Sequence, residues 1–146
     1  MSLKLRHRVL NTMIVIVVLA CLAAIGYVVT APAAGRPYTE FYLLGQQGKA
    51  VDYPREMRLG HEGTVIVGII NHEHRDVSYR VDVIVGGKTS QQAGPLVVGD
   101  GLKWEGEISF VPQVAGEGQK VEFYLYEDGA PEPRLQSLYL WVNVTN

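Results

Sequence analysis

The stretch GTVIVGIINHEHRDVSYRVDVIVGG, residues 63–87, decides the fold. Two runs of Val, Ile and Tyr flank a polar segment, and a pair of glycines closes the second run. β-Branched and aromatic residues suit the extended, half-buried chain of a sheet. In the second run Val77, Tyr79, Val81, Val83 and Val85 alternate with Ser78, Arg80 and Asp82. Side chains of a strand switch faces at each residue, so the first set faces a core and the second faces water. The first run, TVIVGIIN at 64–71, is apolar on both faces, which places it centrally and partly covered on its second side. Between them lies His72-Glu73-His74-Arg75-Asp76, either a bend or a site.

The same alternation extends downstream. Trp104, Ile108 and Phe110 oppose Lys103, Glu105, Glu107 and Ser109; Val121, Phe123 and Leu125 oppose Lys120, Glu122, Tyr124 and Tyr126. Leu138, Leu140, Val142 and Val144 oppose Tyr139, Trp141 and Asn143. Strands are expected at 39–44, 64–71, 77–85, 103–111, 119–127 and 135–144, with a weaker one at 95–98 or 58–60. Residues 38–146 therefore read as an all-β, immunoglobulin-like antiparallel β-sandwich of about seven strands. A small barrel is the alternative.

Upstream, residues 9–29 read VLNTMIVIVVLACLAAIGYVV and carry no charge. Twenty-one helical residues reach about 31 Å, enough for a hydrocarbon core of about 30 Å. The run is apolar on every side, unlike a helix packed on a soluble core. Residues 1–8 hold Lys4, Arg6 and Arg8, which predicts a cytoplasmic N-terminus and an extracytoplasmic domain after Thr30. Ala31-Pro32-Ala33 resembles a signal-peptidase site, but a cleaved signal has a shorter apolar run of about 7–15 residues. Val18-Leu19-Ala20-Cys21 loosely resembles a lipobox, yet the chain stays apolar through Val29. Ala20 and Ala24 form a small-residue pair that allows close approach of another helix. Residues 30–37, TAPAAGRP, form a short stiff linker that would hold the domain near the membrane.

The lone cysteine, Cys21, rules out a disulfide within the chain, so the outer domain relies on its core. From Arg36 onward ten Lys and Arg stand against fifteen Asp and Glu, a formal charge of −5. That balance does not suit nucleic acid, whose phosphates need a basic surface.

The segments TEFYLLG, GTVIVGIINHE, VSYRVDV, KVEFYLY and SLYLWVNV resemble the outer domain of prokaryotic membrane proteins catalogued as domain of unknown function 1616, best known from archaea. The resemblance covers Tyr38 to Val144, with FYLLG followed by GTVIVGIINHE as its most specific part. It implies the sandwich and a membrane location, and it carries no reaction. Members of that family often have several membrane helices ahead of this domain, where one is read here.

Four features bear on function. His72, Glu73 and His74 have the donor types of a zinc or copper site, but a third ligand is needed. His61 lies at the far end of the 64–71 strand, roughly 25–35 Å away, and cannot supply it. The bend reading makes Asn71 a cap through its amide and leaves His72 to Asp76 as solvated loop residues. Second, enzyme motifs are missing: HEGTV and HEHRD both lack the second histidine of HExxH, and no GxSxG or phosphate-binding glycine loop occurs. Glu105 and Glu107 form a carboxylate pair on a solvated strand face. Third, Tyr124, Tyr126, Tyr139 and Trp141 would share one outward face if their strands pair as a hairpin, and such rings suit protein interfaces or sugar stacking. Fourth, Asn143-Val144-Thr145 matches a glycosylation sequon. Together these predict a non-catalytic, single-span membrane protein with no cofactor. Residues 9–29 would contact lipid, and the aromatic face, with the 72–76 and 127–134 loops, would meet a protein partner in a membrane or envelope complex. A glycan-binding module on the aromatic face and a metal-binding domain at His72 and His74 are the alternatives.

Overall fold

The computed structural model describes residues 3–30, 35–130 and 134–146. The Ala31-Pro32-Ala33 pattern, the body of the linker and residues 131–133 of the 127–134 loop lie outside the described residues. The chain forms two compact units, residues 1–35 and 36–146.

The first unit is one helix, α1, Leu3–Thr30. Its segment Arg6–Thr30, 25 residues, is long and apolar enough to cross a membrane, and none of it is buried against protein. The helix spans more than the uncharged run because Arg6 and Arg8 are good helix formers and sit in its opening turns. Two hydroxyls within it bond back to the preceding turn, Thr12 to the Arg8 carbonyl at 2.9 Å and Thr30 to the Gly26 carbonyl at 2.7 Å. That arrangement satisfies both hydroxyls within the helix itself. Ala20 and Ala24 lie one turn apart, exposed, with the free thiol of Cys21 also exposed.

The second unit is a two-sheet sandwich of eight strands: β1 Tyr38–Leu44, β2 Glu56–Arg58, β3 Gly63–His72, β4 Val77–Val85, β5 Lys88–Val98, β6 Lys103–Phe110, β7 Gly116–Glu127 and β8 Arg134–Thr145. One sheet has the order β1-β3-β6, the other β2-β8-β7-β4-β5. The count is eight instead of about seven because β2 and β5 both form, where the sequence predicts one weak strand. β2 pairs with β8 in parallel, Glu56 opposite Asn143 through Arg58 opposite Thr145, so the sandwich is not wholly antiparallel. β3 is central in its sheet, flanked by β1 and β6. β4 and β5 are joined by Gly86 and Gly87, both at positive φ, with Val85 opposite Lys88. This two-residue hairpin demands left-handed backbone at both central positions, which glycine adopts without steric cost.

The core forms where the alternation places it. Val65, Val67 and Ile69 of β3 meet Val77, Tyr79, Val81 and Val83 of β4 and Val121, Phe123 and Leu125 of β7, all at most 1% exposed. Phe110 and Phe123 join the two sheets edge to face, ring centroids 6.2 Å apart. Each such side chain contributes about 1.5–3 kcal/mol by leaving water. Trp104 is only partly buried, because it lies near the start of β6 and folds back over Gly106, where a Cβ would stand 2.5 Å from its ring.

Candidate functional site

The polar turn after β3 is built on Asn71, which is fully buried. Its Nδ2 donates to the carbonyls of Arg75 and Val98, both at 2.7 Å, and its Oδ1 accepts from the Glu73 amide at 2.8 Å. Its backbone exchanges bonds with the β5–β6 loop, donating to Leu102 O and accepting from Gly101 N. Both ends of the side chain are thus used, as burial requires.

The next residues point to different partners. His72 belongs to β3 rather than to the loop: its ring stacks on Tyr38 at 4.5 Å, and its Nε2 lies 3.1 Å from Glu40 Oε1. Glu73 turns toward the sandwich end, where Thr39 Oγ1 donates to it at 2.7 Å and Tyr79 Oη stands 2.9 Å from that hydroxyl. Burial pushes the Tyr79 phenol pKa up, with the Thr39 bond acting the other way. His74 sits at φ 58°, its amide bonded to Asp100 Oδ1 at 3.0 Å. Arg75 reaches Glu127 at the end of β7, and that bond raises its pKa. Among the described residues no group of three or more His, Cys, Asp or Glu side chains converges as a metal cage. His61 is placed elsewhere, after β2, its Nδ1 3.3 Å from Leu59 O.

The outer face of the three-stranded sheet carries a second network, which sequence reasoning missed. Tyr42 lies across Gly68, where a Cβ would stand 2.1 Å from its ring. Its hydroxyl donates to Glu105 Oε1 at 2.5 Å, and Lys103 Nζ lies 3.2 Å from the other oxygen of that carboxylate. Burial, then the bond to Glu105, pushes the Tyr42 phenol up to about 12. The same bond, with Lys103, holds the Glu105 carboxyl below its usual range. A glycine inside an apolar strand was the available signal, since it marks a close approach.

The four aromatics lie on the outer face of the five-stranded sheet. β7 and β8 pair antiparallel, with Lys120 opposite Trp141, Glu122 opposite Tyr139 and Tyr124 opposite Ser137. Tyr139 and Trp141 are 60% and 55% exposed and meet edge to face at 6.1 Å. Tyr124 and Tyr126 are half-buried under polar cover: Tyr124 Oη donates to Glu122 at 3.1 Å, and the Arg80 guanidinium sits 4.8 Å from the Tyr126 ring. Lys120 links the two pairs, 2.6 Å from Glu122 and 4.9 Å from the Tyr139 ring centre, and the Glu122 bond raises its pKa. Asn143 of the sequon bonds Glu56 through Nδ2 at 2.8 Å and accepts from the Gly118 amide at 2.9 Å.

Among solved structures, the CARDB domain of a Pyrococcus furiosus protein, crystallised in complex with di-metal ions, aligns over 75% of this chain and 94% of its own, with TM-score 0.55 and 14% identity. Its solution structure gives TM-score 0.52 and 16% identity over 75% and 96%. A chain of the complex between zinc 2-glycoprotein and prolactin inducible protein from human seminal plasma aligns over 75% and 96%, with TM-score 0.50 and 9% identity. At these identities the likeness is one of fold, an immunoglobulin-like sandwich. No curated protein matches in sequence. The family model described as domain of unknown function 1616 matches residues 32–143. With most of the sandwich inside that match, the chain belongs to the domain of unknown function 1616 family.

Proposed function

We propose that this chain is a non-catalytic, membrane-anchored interaction module, its sandwich on the extracytoplasmic side, serving a membrane or envelope complex. The observation that carries the reading is the Tyr139–Trp141 pair, two large rings left more than half exposed on a regular strand. Such rings join large contact area to few rotatable bonds, so ordering them on a partner costs little. Lys120 and Glu122 beside them supply polar contacts at the rim. The apolar helix Arg6–Thr30 supplies the anchor. The carboxylates near the turn and on the sheet faces are engaged by separate neighbours, Glu40 by His72, Glu105 by Tyr42 and Lys103, and Glu127 by Arg75. That pattern favours recognition over acid–base chemistry, which needs groups converging on one reacting atom.

The test is purification of the full chain in mild detergent, with identification of co-purifying proteins, for the natural sequence and for Tyr139→Ala with Trp141→Ala. The double variant should still fold, losing about 1–2 kcal/mol with the edge-to-face pair and the Lys120 contact on the Tyr139 ring. It should also lose the partner. Retention of every partner by the double variant would refute the reading. A glycan reading of the same rings predicts instead that the full chain binds a glycan array and that Trp141→Ala abolishes the signal.

A further inference from the structure

The sandwich has two open sides, and they differ in chemistry. On one, the edge strands β5 and β6 carry Pro95 with two register shifts and Lys103, Glu105 and Glu107. Proline, bulges and charges are devices that blunt an edge against pairing. On the other side β1 faces β8. There β2 covers only Asn143–Thr145 of β8, and upstream of β2 stands Pro54, which has no N–H to give. The Asn143 amide points to this side, donating to Arg55 O at 2.7 Å. Direction alternates along a strand, so Ser137, Tyr139 and Trp141 present their N–H and C=O groups to the same side. Among the described residues no strand pairs with them there. The segment 136–142, QSLYLWV, contains no proline, glycine or charge.

Beside this bare edge runs an apolar groove of about 310 Å³, lined chiefly by Phe41, Leu43, Tyr53, Leu138 and Leu140. The polar tip of Tyr53 is already satisfied by Leu43 O at 2.9 Å, so the ring shows the groove its carbon face. Unpaired backbone with a side-chain groove alongside is the combination by which sheets accept a peptide strand: main-chain bonds give affinity and the groove receives alternate side chains.

We infer that the open edge of β8 takes an extended segment of a partner protein, added as a strand in line with β2, with its alternate apolar side chains in the groove. The inference rests on the interaction reading above and names its mode. It continues a pairing already present, since β2 occupies the same edge through three residues. A second copy of β8 fits less well: its inward Leu138 and Leu140 are packed against its own core and cannot enter the groove. The formal charge of −5 on residues 36–146 favours a neutral or basic segment over an acidic one.

The experiment uses the full chain in neutral-lipid nanodiscs, with empty nanodiscs as blank. Three short peptides are added: one alternating Val and Lys, one alternating Val and Glu, and one copying residues 134–144. Amide exchange should slow about tenfold or more at Ser137, Tyr139 and Trp141 with the Val–Lys peptide, and little at Leu138 and Leu140, whose amides face β7. Ser137→Pro removes one outward donor and is tolerated on an edge, so it should weaken binding about tenfold or more, while Ser137→Ala should not. Uniform or absent protection in the natural sequence, or equal binding by the proline variant, would overturn the inference. Equal protection by the Val–Glu peptide would overturn its charge preference. Protection by the 134–144 peptide alone would replace the partner segment with a second copy. A co-purifying partner lost with Tyr139→Ala/Trp141→Ala but retained with Ser137→Pro would leave the aromatic face standing and remove strand addition.

Discussion

Asn71→Ala tests the turn that organises one end of the sandwich. The substitution removes three hydrogen bonds, two at 2.7 Å and one at 2.8 Å, and strips partners from two carbonyls and one amide. A buried group left without its partner costs about 1–3 kcal/mol. The Val98 carbonyl bond is buried, whereas water can reach the groups at Arg75 and Glu73 in part, so a total of about 3 kcal/mol is expected. Against a domain stability of about 5–15 kcal/mol this is a large fraction. At about 4 °C per kcal/mol the melting point should fall by about 12 °C. Asn71→Asp is the sharper variant, because it keeps the acceptor for the Glu73 amide and turns an oxygen toward two carbonyl oxygens. Burial and those carbonyls raise the folded pKa of the introduced carboxyl above its unfolded value of about 3.9. The folded state then holds the proton more tightly, so this variant should be nearest to the natural protein in acid. Its stability should fall as pH rises from about 4 through the folded pKa, then level off. Denaturant unfolding of the full chain, followed by tryptophan fluorescence at several pH values, measures both effects. A loss below about 1 kcal/mol for Asn71→Ala, or a pH-independent Asn71→Asp, would refute the account.

Gly68→Val should destabilise by about 1–3 kcal/mol, since its Cβ would stand 2.1 Å from the Tyr42 ring, and adding Tyr42→Ala should recover part of the loss in denaturant midpoint. Burial and the Glu105 bond push the folded Tyr42 phenol up to about 12 from its usual 10.0, so its contribution should be full below pH 10 and lost as pH climbs through about 12. An alkaline unfolding series should show that loss in the natural protein and a shallower one in Tyr42→Phe. His74→Gly relieves a left-handed backbone at φ 58° and keeps the main-chain bond to Asp100 Oδ1, but removes the ring whose Nδ1 lies 4.0 Å from Asp100 Oδ2. Relief of about 1–2 kcal/mol exceeds an exposed contact of that length, so thermal melts should show a net gain below about 1 kcal/mol.

The faces of β4 are readable because burial on one side leaves a period of two, and Val77 to Val85 obey it without exception. β5 is harder to see. Its KTSQQAGPLVV is polar, broken by glycine and proline, and largely exposed, since an edge strand needs only one neighbour and no continuous apolar face. β2 has three residues, and what makes it a strand is Asn143–Thr145, almost ninety positions away. The same distinction governs the site. The Asn71 cap is local, bonding within four residues on one side, and turn chemistry predicts it. Glu40 for His72, Glu105 for Tyr42 and Glu127 for Arg75 lie 32, 63 and 52 residues away, the first two set by sheet register and the third by the turn that leads into β4 beside the end of β7.

The histidine turn and the aromatic face can therefore be separated physically. A catalytic or metal centre requires side chains that converge on an empty position. After Asn71 most of the side chains part company: His72 goes to β1, Glu73 to the Thr39–Tyr79 pair and Arg75 to the end of β7, while His74 and Asp76 both meet Asp100. Two of these contacts clasp the sheets together, Thr39 of β1 with Tyr79 of β4 beside Glu73, and Arg75 with Glu127 of β7, so their loss should lower the stability of the sandwich. Tyr139 and Trp141, by contrast, are placed by the β7–β8 ladder itself, opposite Glu122 and Lys120. A change at the clasp should reduce the folded fraction without altering the affinity of molecules that remain folded, whereas a change at the rings should do the opposite.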